Sequence, residues 1–276
     1  MITVIIPAYK EYENLKTLIP EIRDTLNGDL HDIIVVDDNS GDGTEGLDGA
    51  RIVTRKSERG LSSAVIRGIE ECETDGFVVM DADHQHPPSV LPSLVKSMRS
   101  HDLVVGSRYI KGGGTKGWTA WRKFVSKVAS LMGRPLCGIN DSSSGLFGTY
   151  KSLLEVPKLN PIGFKIGLDI YNKLRKRSKE EVPYIFASRH FGDSKFTSKQ
   201  VIEYLKQLVL MYINIMSPKQ FFKYCIVGTT GIAINFSILI GLTEVYGFHY
   251  IISEAFAIVV VLFWNFSFNK FWTFKA

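Results

Sequence analysis

Cysteine is scarce in this chain, with three among 276 residues. Cys72, Cys137 and Cys225 stand far apart and match neither a metal-binding nor a disulfide spacing. That excludes a disulfide-stapled extracellular domain and a cysteine zinc site, and leaves a reducing compartment as the expectation. Low-complexity tracts and internal repeats are missing too, which excludes solenoids and disordered arrays. No secretory leader is expected, because Ile2-Thr3-Val4-Ile5-Ile6 enters a strand pattern at once. Neither sign of charge dominates strongly. The formal net charge is +5 and the isoelectric point near 8.9, a mild basicity compatible with nucleic acid, anionic lipid or phosphorylated ligands.

Charge itself becomes scarce toward the C-terminus. Residues 1 to about 195 have the composition of a soluble α/β protein, but Phe221 to Tyr246 carries only Lys223 and Glu244, and Tyr250 to Phe268 only Glu254. A membrane-spanning helix needs about 20 mostly apolar residues, so two spans are expected, at about 222–246 and 250–269. Gly247-Phe248-His249 joins them into a hairpin. Lys219, Lys223, Lys270 and Lys275 flank its outer ends, and the connecting loop has no Lys or Arg. The positive-inside tendency then places the N-terminal domain and the C-terminus in the cytoplasm. Glu254, Asn235 and Asn265 lie inside the spans, where a hydrogen bond between the two helices is the economical use for them.

Before the hairpin, Val201, Ile202, Leu205, Leu208, Val209 and Tyr212 recur at helical spacing between Ser198 and Ile215. This pattern suits an amphipathic helix in the membrane interface and equally a helix packed on the soluble domain. Ser217-Pro218 interrupts the chain before the first span. The expected organisation is a soluble domain over 1–195, interface helices over 196–218 and a membrane hairpin over 219–276.

Within the soluble part, strand-like runs alternate with helical patterns. Thr3–Ile6, Asp32–Val36, Arg51–Val53, Phe77–Met80 and Leu103–Gly106 read as strands; Tyr12–Leu26, Ser62–Glu73 and Ser89–Ser100 read as helices. The alternation predicts a mostly parallel sheet flanked by helices, with ligands beyond the carboxyl ends of the strands. The informative residues sit at those ends: Pro7-Ala8-Tyr9, Asp37-Asp38, Asp81-Ala82-Asp83 and Ser107-Arg108.

Asp81-Ala82-Asp83-His84-Gln85 is the densest of them. In an extended chain alternate residues share a face, so Asp81, Asp83 and Gln85 are expected to converge on one hard cation, Mg2+ or Mn2+, which shares its oxygen shell with substrate phosphates. Taken alone, the motif also reads as a solvated turn. Asp37-Asp38-Asn39-Ser40 can accept hydrogen bonds from a base or ribose, or simply cap a turn. At Gly60-Leu61-Ser62-Ser63, either serine can cap a helix start that also suits phosphate. Arg108, Arg122, Arg189 and Lys195 come from separate segments and supply guanidinium forks and a cation for phosphate oxygens.

Val4-Ile5-Ile6-Pro7-Ala8-Tyr9, Val35-Val36-Asp37-Asp38-Asn39-Ser40, Gly60 to Ala64 and Met80 to Pro88 together resemble a family-2 glycosyltransferase with the GT-A fold. Gly106-Ser107-Arg108-Tyr109, Asp141 to Gly145, Gly163-Phe164-Lys165 and Arg189 to Lys195 narrow the resemblance to the membrane-anchored dolichyl-phosphate mannose synthases. It implies that Pro7, Tyr9, Glu11, Val36 and Asp38 bind the nucleotide, that Asp81, Asp83 and Gln85 ligate Mg2+ or Mn2+, and that Ala82 touches the donor. It further implies that Arg108, Arg122 and Ser126 surround the acceptor phosphate and the transferred sugar, and that Arg189 and Lys195 close over the diphosphate. The implied substrates are GDP-mannose and a dolichyl or polyprenyl phosphate in the bilayer, with no nucleic-acid partner. Lys10 stands where Asn is usual in that family, His84 where Leu or Thr is common, and Asp169 where Glu is expected. The rival expectations are a UDP-glucose-dependent transferase of the same fold and, from another class, a lipid-linked-sugar translocator. No Gln-x-x-Arg-Trp segment of a polymerising synthase is present.

Overall fold

Strand β1 (Ile2–Ala8) is buried along its whole length, which explains why its sequence is a continuous apolar run instead of an alternation. Its Val4 and Ile6 join the core formed with helix α1 (Tyr12–Thr25), through Leu15, Leu18, Ile19 and Ile22, and with α3 (Leu91–Met98), through Leu91, Leu94, Val95 and Met98. Ile5 points the other way, toward α2 (Leu61–Glu71). A Cβ on Gly68 of α2 would lie 2.3 Å from Ile5 Cγ2, so only glycine allows that helix its seat on the strand. Each such aliphatic side chain contributes roughly 1.5–3 kcal/mol by leaving water.

The computed structural model describes residues 1–159, 163, 165–187, 198–215 and 217–274. Strands β2 (Leu30–Asp37), β3 (Arg51–Thr54), β4 (Gly76–Val79) and β5 (Leu103–Ser107) follow in chain order. After the short β6 (Gly114–Thr115) come α4 (Ala120–Cys137), β7 (Phe147–Tyr150), α5 (Ile166–Lys173), β8 (Lys179–Pro183) and β9 (Ile185–Phe186). The main sheet has seven strands in the order β3-β2-β1-β4-β7-β5-β8, and β6 pairs with β9 separately. All pairings in the main sheet are parallel except those of β7, which runs antiparallel to both β4 and β5. The mostly parallel sheet matches the sequence expectation. Strand β7 escapes it because Phe-Gly-Thr-Tyr is too short to show a period.

Helix α6 (Ser198–Ile215) begins in the first unit, Met1–Leu208. There Tyr204 and Leu208 are buried, the Tyr204 hydroxyl donates to the Ala129 carbonyl of α4 at 2.7 Å, and Gln207 Nε2 donates to Lys165 O at 3.2 Å. Val201, Ile202 and Leu205 remain exposed. This part of the helix packs on the rest of the first unit along one face and presents apolar residues on another.

The second unit, Val209–Ala276, contains α7 (Pro218–Ile240) and α8 (Tyr250–Phe268). Ser217 Oγ accepts from Gln220 N while the Gln220 side chain accepts from Ser217 N, a reciprocal cap with Pro218 in the first turn. Each helix continues into one π turn, Gly241–Val245 and Asn269–Thr273, giving apolar helices of 28 and 24 residues. Both are long enough to cross a bilayer. Two hydrogen bonds join them: Trp264 Nε1 donates to Thr230 Oγ1 at 3.1 Å, and Lys223 Nζ donates to the Trp272 carbonyl at 2.9 Å. Asn265 Oδ1 provides neither: it lies against Gly231, where a Cβ would be 2.9 Å away, and has no hydrogen-bond partner among the described residues. Glycine lets the helices approach there but offers that oxygen no donor.

Candidate active site

Parallel register brings the ends of β1 and β2 together, pairing Pro7 with Val36 and Ala8 with Asp37. Val36 is fully buried, with its Cγ2 near Gly68 of α2, so a nucleotide could reach only its backbone. Among the described residues, the non-glycine positions with positive φ are Lys10 (58°), Asn39 (56°) and His84 (59°). They follow β1, β2 and β4 respectively, so backbone strain of about 1–2 kcal/mol each is concentrated at one edge of the sheet. The left-handed conformation at position 10 also accounts for the Asn expected there, since Asn tolerates it better than Lys.

The two aspartates after β2 have separate tasks. Asp37 accepts from the Ser40 amide and hydroxyl, and Ser40 Oγ accepts from Lys10 N at 2.7 Å. Asp38 is buried against Arg55, which the sequence reading passed over. Arg55 Nε donates to Asp38 Oδ1 at 2.8 Å, as does its Nη2. Gly60 N donates to Asp38 Oδ2 at 2.8 Å, and Arg55 continues to Ser63 Oγ and Gly60 O. Asp38 therefore fixes the start of α2. Neither serine caps that helix: the N-cap is Gly60 at φ 128°, and Ser63 donates to its carbonyl instead. Tyr9 lies beneath Lys10 Nζ and Arg59 Cζ, 5.6 and 5.3 Å from its ring centre. Glu11 Oε2 accepts from Asn14 Nδ2 at 2.6 Å.

Strand β4 ends at Val79, so Asp81 to Gln85 is not extended as the sequence pattern assumed. It bends at His84, and Gln85 N reaches back to Asp83 Oδ1 at 3.1 Å. Ala82 turns its methyl into the core and keeps only its backbone for a donor. Asp81 N donates to His86 Nδ1 at 3.1 Å, which puts any single ring proton of His86 on Nε2. Burial, with Arg108 and Lys165 nearby, lowers the His86 pKa to about 4 against weaker opposing pulls from Asp83 and Asp141, so the ring is neutral. The 3.7 Å approach of His86 Nδ1 to Asp81 is therefore no salt bridge at neutral pH. Gln85 Nε2 donates to Ala187 O at 3.4 Å, and Gln85 O accepts from Ala187 N at 3.0 Å.

Two carboxylates and an amide oxygen are hard donors suited to Mg2+ or Mn2+. Among the described residues no cluster of three His, Cys, Asp or Glu forms a closed cage. A site that relies on substrate oxygens to complete its shell fits that donor set. Asp81 rests against Gly145, where a Cβ would lie 3.4 Å from both carboxylate oxygens.

The phosphate-binding expectation centres on Trp118. Arg108 and Arg122 both stack on its ring, with Cζ at 5.6 and 4.2 Å from the centre. Thr119 caps α4 and thereby sets Arg122 in its first turn. One turn on, Ser126 accepts from the Tyr109 hydroxyl at 2.8 Å. Arg108, Arg122 and Ser126 are thus gathered from two segments into one cluster. One edge of Arg108 is committed: Nε and Nη2 each donate to Asp141 at 2.7 Å, and Nη2 also to Ser143 Oγ at 2.8 Å. Burial pushes the Asp141 carboxyl upward, but the Arg108 hydrogen bonds and charge outweigh it and hold the group below its ordinary range. Lys165 Nζ donates to Ser143 O at 2.7 Å; burial, reinforced by Arg108, lowers its pKa to about 8. Asp141 and Lys165 were visible only as parts of the family motifs, without a role. Arg189 and Lys195 lie outside the described residues.

The profile of Glycosyl transferase family 2 matches residues 3–152, and that of the GtrA/DPMS transmembrane domain matches 220–276. A dolichol-phosphate mannosyltransferase of Pyrococcus furiosus is 39% identical, covering 99% of this chain and 81% of its own length. One of Saccharomyces cerevisiae is 39% identical over 76% of this chain and 86% of its own. Among solved structures, glucosyl-3-phosphoglycerate synthase from Mycobacterium tuberculosis with Mn2+, UDP and its product aligns at TM-score 0.58 and 20% identity, covering 78% of this chain and 79% of that one. That likeness shows the fold. The chain belongs to glycosyl transferase family 2, with a helical hairpin of the GtrA/DPMS transmembrane type, and to the dolichol-phosphate mannosyltransferases, one of which aligns with 99% of its length.

Proposed function

We propose that this protein transfers mannose from GDP-mannose to dolichyl (polyprenyl) phosphate with inversion, giving dolichyl β-D-mannosyl phosphate. The observation that carries this reading is the pair of guanidiniums on Trp118, at the same sheet edge as the acidic loop after β4. Two cations gathered on one ring suit a dianionic phosphate. The lipid side of the reading is supported by α4, which carries Arg122 and also exposes Trp121 (71%), Phe124 (58%) and Leu131 (62%). An apolar helix face beside an anion site suits an acceptor whose head is charged and whose tail stays in the bilayer.

Pro7, Tyr9, Glu11, Val36 and Asp38 border the nucleotide in this proposal. Asp81, Asp83 and Gln85 hold Mg2+ or Mn2+, which when bound offsets charge on the diphosphate leaving group. Arg189 and Lys195 add cations above the diphosphate. Arg108 and Arg122 orient the acceptor so that a phosphate oxygen attacks the anomeric carbon while the bond to the GDP oxygen breaks on the opposite face. The α-linked donor then gives a β-linked product. A phosphate monoester has a second pKa near 6, so the nucleophile is already ionised at neutral pH and no base is required. The lysines flanking the hairpin favour a catalytic unit on the cytoplasmic face. Transfer of radiolabel from GDP-mannose into organic-soluble lipid, competed by GDP and not by UDP, is the expected result. Labelling from UDP-glucose instead would reject the donor assignment.

A further inference from the structure

His84 departs from the family pattern and stands between two proposed metal ligands. Its backbone is left-handed at φ 59°, and its ring is buried under α1. Nε2 lies 2.9 Å from Thr17 Oγ1 and 3.2 Å from the Asn14 carbonyl. Nδ1 faces Glu21 Oε2 at 3.6 Å. Asn14 in turn holds Glu11 through the 2.6 Å bond from its Nδ2. A leucine at position 84 could fill the volume but make none of these polar contacts, and it would carry the steric cost of the left-handed backbone.

We infer that His84 is a positioning residue for the cation: its ring ties the bend between Asp83 and Gln85 to the first two turns of α1. Gln85 N closes onto Asp83 Oδ1 across that bend. Rotation of the backbone at position 84 would therefore move both flanking ligand groups at once. Through Asn14 the same tether reaches Glu11, so the metal loop and one donor-binding side chain share an anchor. Groups that orient metal ligands without touching the ion commonly alter affinity 10–100-fold. The inference rests on Asp81, Asp83 and Gln85 being the ligand set.

The test is Mn2+ binding to the full chain in detergent, followed by electron paramagnetic resonance with GDP present, alongside thermal melting. His84→Asn keeps a residue that accepts the left-handed backbone but shortens the tether; about tenfold weaker Mn2+ binding is expected. Thr17→Val leaves the loop sequence intact and removes the hydroxyl partner of Nε2; about fivefold weaker binding is expected from the loss of one hydrogen bond. In the double variant the two effects should fall short of additive. A melting shift with Mn2+ affinity unchanged in both variants would reduce His84 to a packing residue and overturn the inference. Should His84→Asn fail to fold, the Thr17→Val affinity decides alone. Asp83→Ala is the control: if it binds Mn2+ like the natural chain, the ligand assignment fails, whatever His84 does.

Discussion

Asp141→Asn tests how the arginine cluster is held. The Arg108 and Asp141 side chains are 6% and 0% exposed and are joined by two 2.7 Å bonds, with a third from Arg108 N at 2.9 Å. Asparagine preserves the shape, removes the charge and turns an amide N–H toward a guanidinium that cannot shed its proton. Arg108 would then share its surroundings with Lys165 without the carboxylate that offsets both. Breaking one partner of a buried pair costs about 3–5 kcal/mol. For a unit of this size that corresponds to a fall in melting temperature of roughly 10 °C. Replacing both partners, as Arg108→Met with Asp141→Leu, should recover most of the stability, because the desolvation of two charges is removed with their attraction. Mannosyl transfer should not recover. Melting of the purified protein in detergent, paired with radiolabel transfer, reads both quantities. An Asp141→Asn loss below about 1 kcal/mol would refute the account, placing the pair among the weak contacts of exposed ions.

Lys165 loses its proton in the folded chain near pH 8, while the unfolded side chain keeps it to about 10.5. The unfolded state binds more protons inside that window, so metal-free stability should rise between those pH values, by roughly 3 kcal/mol at most; Lys165→Met should flatten the rise in melting temperature. Arg122→Ala should raise the acceptor KM at least tenfold while GDP-mannose binding changes little, and equal losses in both would remove Arg122 from the acceptor phosphate. A chain ending at Ser217 should keep turnover on a short water-soluble polyprenyl phosphate and lose it on the long-chain acceptor in vesicles. Loss on both would give the hairpin more than an anchoring part.

The strand ends were legible because parallel strands buried on both faces leave uninterrupted apolar runs, and the first polar residue after each run marks the ligand edge. Thr3 to Ile6, Asp32 to Val36 and Phe77 to Met80 agree with β1, β2 and β4 within a few residues. The apolar spans declared themselves by length. Arg55 stayed hidden because its partner is 17 residues away and nothing in Thr-Arg-Lys-Ser distinguishes a buried arginine from a surface one. The bend at His84 was invisible for a different reason: alternation along a strand is the default geometry, and a histidine marks a left-handed position only weakly. The apolar face of α4 was missed because Trp121, Phe124 and Leu131 occur among lysines and an arginine.

Strand β7 separates β4, which leads to the acidic loop, from β5, which leads to Arg108. Two inter-strand spacings amount to about 9.6 Å, so the strand that leads to the acidic loop and the strand that leads to the arginine cannot close upon each other. Its reversed direction has a second effect: the chain enters β7 from the ligand edge, bringing Asp141, Ser143 and Gly145 up to the floor of that gap. One short antiparallel strand therefore acts as a spacer, keeping the acidic loop after β4 and the arginine after β5 two strand spacings apart at the same sheet edge.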